Sequence, residues 1–535
     1  MNSNTYTDRE IYPSFCAYVG VRDAGGRNVI FDAVSDQIIA IQPTLVELLD
    51  LCDGVHSLDD IYRAHARRNR ARRDHADSPE DVRAALETLT DLKVMKFRTY
   101  RETKHARILL INPGLPFPRS RYTFQKLTPP LGLLHIAGQL HKAGHDVDIY
   151  DMALEDARPA DITAYIEKNG TPWDLIGITL NMTPTSAEAL RIARNIKDIL
   201  PDTPLIMGGN HATMTYRDLL RDADADFVCV GMGENLMVSL CAALFAKKGR
   251  VEDVAGLAYK VGEAIRPPTP QTERIDFDAL AFPAYHKIDL SRYDTNGYIP
   301  MITSTGCPFN CAYCSTFKFH GRRVNYYAPH RVVAMIERLI DAYETTKFNF
   351  LDDAFTFNRK RIVAICELLI EKRLNIQWMC NTRIDMVDEA LLHIMRDAGC
   401  EGVFFGVESV EQSVLDKANK RVDFSQVEEV MRWAKQAGLK IRQSYIIGLP
   451  GETRESIERI GRFVTESNPG QVQFSMLNIF PGTDYANDPA AYGLEVLPLA
   501  WREFNINIPH VRTQHMNEDD ILDAYIGLRM SLGGR

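Results

Sequence analysis

The sequence predicts an α/β protein in which a doubly wound parallel sheet precedes a partial (β/α)6 barrel. From Arg107 onwards, continuously apolar strand patterns alternate with amphipathic helix patterns, as in a parallel sheet covered on both faces. From about Asn296, a second alternating series holds six further βα units, which suits an open barrel. Before both, three short helix patterns predict a small winged helix-turn-helix-like domain.

Length and composition exclude several classes of protein. The 535 residues are 45% hydrophobic and 25% charged, which indicates several folded domains rather than a disordered chain. The 10 cysteines are too sparse for a disulfide scaffold, and the net charge of −9 argues against a general nucleic-acid binder. No apolar stretch is long enough to span a membrane, and the N-terminus lacks a secretory pattern. We therefore expect a cytoplasmic protein, with no nucleic-acid or membrane partner, whose clustered cysteines bind metal.

Residues 1–103 form the first predicted domain. Its helix patterns include the string LCDG at 51–54, followed by Ser57 as a helix cap. These residues resemble the core of PqqD-like domains, a resemblance that implies recognition of the leader peptide of a ribosomally made natural product. A purely structural domain is the alternative. The basic run at 63–76 is interpreted either as a solvated helix face or as a dock for an acidic leader peptide.

Residues 104–270 form the second predicted domain, and the proline-rich segment at its end marks a linker. A helix pattern follows each of its parallel strands, and open sheets of this kind bind ligands at the carboxyl ends of the strands. The predicted strands lie at 107–112, 145–151, 174–180, 204–209 and 226–231.

Residues 271–490 form the predicted barrel, and residues 491–535 a C-terminal helical extension whose last helix begins at the cap Asn517. The functional residues of such barrels lie at the carboxyl ends of the strands. The strand patterns begin near Ile299, Phe348, Ile376, Gly402, Lys440 and Gln471.

The strongest chemical signal follows the first barrel strand. Cys307, Cys311 and Cys314 form a C-x3-C-x2-C array on one predicted loop. Thiolates are the usual ligands of cubane clusters, and three of them leave the fourth iron open to a substrate. Zinc is the alternative, but it ordinarily takes a fourth ligand from a second Cys or His pair, which the sequence lacks. The array therefore predicts a [4Fe–4S] cluster.

The array, together with the segments that end the later strands, resembles the radical S-adenosylmethionine (SAM) superfamily. These segments are FNFLDDAF, WMCNTRID, GVFFGVESV, YIIGLPGET and FPGT, in that order. Glycines let a backbone approach a nucleoside, and carboxylates accept hydrogen bonds from ribose hydroxyls. The resemblance implies that SAM is bound by Tyr313, Asp352, Asp353, Arg383, Gly406, Glu408, Ser409, Gly448 and Gly451.

The strand ends of the second domain carry a hydroxyl residue and closely spaced glycines. This pattern resembles Rossmann-like cobalamin-binding domains, so the two domains together look like the cobalamin-binding class of radical SAM enzymes. The resemblance implies that cobalamin is bound by Thr179, Gly208, Gly209, His211, Gly231, Gly233 and Glu234.

One motif departs from classical cobalamin domains, which supply a cobalt-ligating histidine from an Asp-x-His-x-x-Gly loop. The nearest string, at 133–138, lacks the aspartate and lies within a helix pattern. Without that partner to orient it, His135 is interpreted as a helix-surface or packing histidine, and no protein histidine is expected on cobalt.

The resemblance implies a methyltransferase with three cofactors: a [4Fe–4S] cluster, SAM and cobalamin. A SAM-derived radical would activate an unactivated carbon of a peptide or natural-product precursor, which then receives a methyl group. The alternative is a cyclase or rearrangement enzyme that uses the same cofactors without net methyl transfer. Expected partners are a peptide or small-molecule substrate, a leader peptide at the N-terminal domain, and a reductant such as flavodoxin or ferredoxin. No catalytic residue beyond the cluster is predicted.

Overall fold

The computed structural model describes residues 105–114, 127–170, 172–246, 248–261, 264–272, 275–505 and 507–532, and the backbone of five earlier strands. Strands β2, β3 and β4 pair in that order as an antiparallel sheet, and β1 pairs antiparallel with β5. The helices predicted for the N-terminal domain, residues 1–103, and the basic run at 63–76 lie outside the described residues. The strands are β1 Ile11–Phe15, β2 Val19–Asp23, β3 Asn28–Asp32, β4 Gln37–Ala40 and β5 Met95–Thr99.

A seven-stranded sheet follows, in the order β12-β11-β10-β9-β8-β6-β7, with β6 to β10 parallel and the last two strands antiparallel at one edge. From β6 the chain passes to β7 on one side and then to β8 on the other, so the strand order reverses beside β6. A crevice at such a reversal is the usual ligand site of an open α/β sheet. The strands are β6 Arg107–Asn112, β7 Asp146–Asp151, β8 Leu175–Thr179, β9 Leu205–Gly208, β10 Phe227–Cys229, β11 Leu257–Val261 and β12 Ala264–Arg266.

Helices cover both faces of this sheet, which confirms the doubly wound prediction. Leu140 and Leu240, from α1 and α5, are fully buried on one face, and Ile162 and Ile192, from α2 and α3, on the other. The helices are α1 Leu131–Lys142, α2 Asp161–Asn169, α3 Ser186–Ile199, α4 Asn210–Asp222 and α5 Glu234–Phe245.

The second large sheet is six-stranded and wholly parallel, in the order β13-β16-β17-β18-β19-β20, which confirms the partial barrel. Every strand begins within two residues of its predicted start. A short antiparallel pair, β14 and β15, lies beside β13 in sequence. The strands are β13 Ile299–Met301, β14 Ser304–Thr305, β15 Asn325–Tyr326, β16 Lys347–Phe350, β17 Gln377–Arg383, β18 Cys400–Glu408, β19 Lys440–Ile447 and β20 Gln471–Met476.

Helices of the barrel pack on one large apolar core that includes the fully buried Trp378, Phe348 and Phe405.

None of the helices in the described ranges is long and apolar enough to cross a membrane. The helices are α6 Thr316–His320, α7 Pro329–Tyr343, α8 Arg359–Glu371, α9 Glu389–Asp397, α10 Gln412–Lys417, α11 Phe424–Gln436, α12 Arg454–Ser467 and α13 Asp484–Asn487.

The C-terminal extension contacts both large domains. Strands β21 (Glu495–Val496) and β22 (Val511–Arg512) pair antiparallel, and helix α14 (Glu518–Ser531) packs on α12 and β20. Asn517 caps this helix as predicted, because its side chain accepts a hydrogen bond from the backbone of Asp520.

Candidate active site

The three cysteines of the array lie on the loop between β14 and α6, above the carboxyl end of the barrel. Cys311 is buried, and Cys307 and Cys314 are partly exposed. The loop begins at Gly306, whose φ of +91° favours glycine and whose N–H donates to Asp353 at 2.7 Å. In the described part of the chain, no three Cys, His, Asp or Glu side chains converge on a single metal ion. Mononuclear zinc needs its ligands to converge on one ion, whereas a cubane takes each thiolate on a different iron.

Asp352 and Asp353, at the end of β16, have different surroundings. Asp352 is fully buried and accepts hydrogen bonds from the Thr303 backbone and hydroxyl and from the Ser304 hydroxyl, at 2.5–2.7 Å. Both carboxylate oxygens therefore accept hydrogen bonds from the neighbouring segment, and Asp352 supports that segment without an oxygen left open toward SAM. Asp353 is adjacent in sequence but points the other way, into a cavity described below.

The strand ends of β17 and β18 hold two ion pairs, in which Arg383, Glu408 and Lys420 are buried and Asp385 is partly exposed. Arg383 pairs with Asp385 at 2.9 Å through Nε and Nη2, which leaves Nη1 outside the ion pair. Glu408 pairs with Lys420 at 3.2 Å and lies at φ +73°, a strained conformation for this residue type. A side chain at Gly406 would meet this second pair, since its Cβ would lie 2.4 Å from a Glu408 oxygen. Tyr313 packs on the edge of the barrel core, between the last two cysteines of the array.

The β19 loop is built around a buried carboxyl group that lies outside the predicted SAM set. Glu452 is fully buried and accepts hydrogen bonds from the backbone N–H groups of Gly448 and Leu449. Ser409, also fully buried, donates to its other oxygen at 3.5 Å. Gly448 and Gly451 both have positive φ, as this tight turn requires. Burial raises the pKa of Glu452 to about 8, so the carboxyl group is protonated at neutral pH.

We expect Glu452 to make the protein less stable as pH rises. The pKa of this carboxyl is about 4.5 in an ordinary setting and about 8 when folded, so between these values the folded state holds a proton that the unfolded state has released. Each pH unit in that window lowers the free energy of unfolding by up to about 1.4 kcal/mol. Glu452→Gln keeps an acceptor for both N–H groups and cannot titrate. Thermal unfolding at pH 6 and pH 8.5 should show a smaller loss for this variant; equal losses in both proteins would contradict the assignment.

A cavity of about 480 Å³ lies between the carboxyl ends of the seven-stranded sheet and the barrel. The barrel contributes Ser304, Thr305, His320 and Asp353 to its wall, from the segments that flank the cysteine loop. The sheet contributes a broad apolar surface and six of the seven residues predicted to bind cobalamin. These six are Thr179, Gly208, Gly209, Gly231, Gly233 and Glu234.

The cavity wall suits cobalamin in two respects. Apolar side chains such as Ile136, Ile178 and Met237 offer an apolar surface for a corrin ring. Four wall residues also carry a buried polar atom that has no hydrogen-bond partner among the described residues, and such atoms are costly unless a ligand satisfies them. They are Asn210 Oδ1, Glu234 Oε2, Thr305 Oγ1 and His320 Nδ1. The amide arms of a corrinoid supply both donors and acceptors.

The two histidines singled out in the sequence lie off this wall. His211 is buried beside the cavity, with its ring 4.6 Å from that of Trp501 and Nδ1 3.2 Å from the Thr183 hydroxyl. His135 is buried in α1 against the Tyr327 hydroxyl at 3.4 Å, and burial lowers its pKa to about 4. His135 therefore packs against Tyr327 of the barrel, away from the cavity wall. The histidine that does line the cavity is His320, at the end of α6, which sequence reasoning missed.

Family models match both halves of this site. The model for the radical SAM superfamily matches residues 301–464, and the model for the B12 binding domain matches residues 122–240. The uncharacterized methyltransferase PH0819 of Pyrococcus horikoshii is 32% identical over 400 residues, 74% of this chain and 85% of the relative. The anaerobic magnesium-protoporphyrin IX monomethyl ester cyclase of Rubrivivax gelatinosus is 29% identical, over 74% of this chain and 72% of the relative.

Solved structures share the fold. The radical SAM methyltransferase TsrM from Kitasatospora setae, with cobalamin and a [4Fe–4S] cluster bound, has a TM-score of 0.63 and 18% identity, covering 73% of this chain and 80% of TsrM. The cobalamin-dependent SAM radical enzyme OxsB, with aqua-cobalamin bound, has a TM-score of 0.64 and 14% identity, covering 95% of this chain and 75% of OxsB. The chain belongs to the cobalamin-dependent radical SAM methyltransferase family, whose cofactors are a [4Fe–4S] cluster, SAM and cobalamin.

Proposed function

We propose that this enzyme methylates an unactivated carbon of a peptide or natural-product precursor. The observation that carries the proposal is the shared wall of the cavity. Strand ends of the cobalamin-binding sheet form one side, and residues that flank the cysteine loop, Thr305, His320 and Asp353, form the other. When bound, the cluster and SAM supply a carbon radical and cobalamin supplies a methyl group. A common wall brings these two chemistries to one substrate.

The proposed roles of the protein residues follow from their positions. Cys307, Cys311 and Cys314 hold the cluster, and the six predicted residues on the wall hold cobalamin. His211 acts from behind this wall, through its contacts with Thr183 and Trp501. The SAM pocket is formed by Tyr313, Asp353, Gly406, Glu408, Ser409, Gly448 and Gly451, with Asp352 and Arg383 as supports behind it.

A cyclase or rearrangement enzyme is the second candidate. The observation that favours it is the similarity to the anaerobic cyclase of Rubrivivax gelatinosus, which is 29% identical over 74% of this chain. Because no described residue around the cavity is specific to methyl transfer, only the products distinguish the two reactions.

For the N-terminal domain we propose leader-peptide recognition. Its three-stranded antiparallel sheet, β2-β3-β4, is the kind of element that takes up an extended peptide as an additional strand. The substrate of the enzyme would then be the peptide that follows such a leader. A flavodoxin or ferredoxin is the proposed reductant for the cluster.

The test is an assay of both SAM-derived products with the full chain. The protein is reconstituted anaerobically with iron, sulfide and hydroxocobalamin, and given SAM, a strong reductant and core peptides with and without an acidic leader. We expect equal amounts of 5′-deoxyadenosine and S-adenosylhomocysteine, dependent on corrinoid and larger with the leader. 5′-Deoxyadenosine alone, with the corrinoid still bound, would overturn methyl transfer in favour of the cyclase candidate. S-adenosylhomocysteine alone would overturn the radical mechanism.

A further inference from the structure

The guanidinium of Arg383 lies directly beside one thiol of the cysteine array. Its Nη1 is 3.5 Å from Cys311 Sγ, within hydrogen-bond range for sulfur. The guanidinium carbon also lies 3.8 Å from the centre of the Phe309 ring, on the same loop. Arg383 is only 6% exposed, so this positive charge acts through a medium that screens it far less than water does.

The remaining donors of Arg383 are held in place by the protein. Nε and Nη2 donate to the two oxygens of Asp385 at 2.9 Å, and Nη2 also donates to the Lys420 carbonyl at 2.7 Å. The planar fork is therefore clamped on one edge while Nη1 faces the sulfur. This arrangement is more than is needed to neutralise Asp385, since Nη1 takes no part in that ion pair.

We propose that Arg383 is a positioning residue that raises the reduction potential of the cluster through Cys311. Reduction adds one electron to the cluster and its thiolates. A hydrogen bond to a ligand sulfur and a nearby buried cation both stabilise that added negative charge, and such contacts are known to set cluster potentials. The role is additional to the proposed function and does not depend on which substrate the enzyme takes.

The ion pair makes the proposal testable in both directions. Arg383→Met removes the cation and the hydrogen bond but keeps much of the length of the side chain, so the reduced cluster should become less favourable. Asp385→Asn removes one negative charge from the same site and keeps an acceptor for the guanidinium, so the reduced cluster should become more favourable. A merely structural role would not give shifts of opposite sign.

The experiment is a redox titration of the reconstituted full chain, followed by the electron paramagnetic resonance of the reduced cluster, without SAM or substrate. For Arg383→Met we expect at least a tenfold loss in the equilibrium constant for reduction, which is a midpoint potential about 59 mV lower. Asp385→Asn should shift it upwards. The control is Arg359→Met, which breaks an exposed ion pair with Asp388 and should leave the potential unchanged.

Three results would overturn the proposal. The first is an unchanged potential in an Arg383→Met protein that holds its full complement of iron. The second is a shift of the same sign in Arg383→Met and Asp385→Asn. If Arg383→Met fails to assemble a cluster, Arg383→Lys, which keeps the charge without the fork, should show a smaller downward shift. The third overturning result is loss of iron from Arg383→Lys as well, which would show that Arg383 only supports the loop.

Discussion

Cys311→Ala should prevent assembly of the cluster and abolish reductive cleavage of SAM. Cys311 is the buried member of the array and carries the contact with Arg383, so its loss leaves only the two partly exposed thiols. Iron content should fall from about four per chain to below about one, because a cubane with two protein ligands is poorly held. Formation of 5′-deoxyadenosine should drop by roughly 10³-fold or more, the scale of loss when a whole catalytic unit is removed. Iron analysis and product quantification under anaerobic conditions measure both.

Cys366→Ala is the matched control. Cys366 is buried in α8, within the barrel core. Its truncation should cost only about 1 kcal/mol of stability and should leave iron content and 5′-deoxyadenosine formation unchanged. A Cys311→Ala protein that kept its four irons would refute the assignment of this loop, and loss of iron from the control would show that the barrel itself had been disrupted.

The fold was predictable because the central strands are buried on both faces. The run Arg107–Asn112 has four consecutive apolar residues, and every residue of Leu175–Thr179 is buried in the structure. Side chains of that kind belong between two layers of helices, and a regular alternation with helix patterns leaves few alternatives to parallel sheets. Helix starts were less certain. Helix α4 begins at Asn210, because Gly209 at φ +107° turns the chain immediately after β9.

Side-chain direction was the part of the site that sequence could not predict. Motif resemblance places Asp352 and Asp353 together at one strand end, but neighbouring residues at such an end point in opposite directions. Only the structure shows that Asp352 supports the Thr303 segment while Asp353 faces the cavity. Likewise, the ion pair that occupies Arg383 involves a residue only two positions away, and no periodicity distinguishes an occupied guanidinium from a free one.

Two residues of the cavity wall lie outside the set of site residues that the sequence predicts. Asn210 directly follows the Gly-Gly pair that ends β9, and His320 ends the short helix after the cysteine loop. Each lies next to a motif but is not part of it. They become neighbours of one cavity only because the barrel packs against the carboxyl edge of the other sheet, a long-range arrangement that local patterns do not encode.

Gly132→Phe should weaken cobalamin binding without weakening the fold. Gly132 lies in the first turn of α1 on the cavity wall, and a Cβ added there would meet no heavy atom within 4 Å. The ring would therefore enter space that the corrinoid needs. Overfilling a site of this kind costs about 1–3 kcal/mol, so binding should weaken about fivefold or more. Titration of the apoprotein with hydroxocobalamin, followed by absorbance, measures this loss.

Two further variants separate bulk in the cavity from an effect on the helix. Replacing a helical glycine removes a backbone penalty of up to about 1 kcal/mol, so Gly132→Ala should raise thermal stability and bind cobalamin almost as the wild type does. Gly527 is also helical and also has open space around its Cβ, but it lies in α14, away from the cavity. Gly527→Phe should leave cobalamin binding unchanged. Wild-type affinity in Gly132→Phe would mean that the corrinoid does not occupy this end of the cavity, whereas equal losses at both glycines would point to a general effect of bulk on helices.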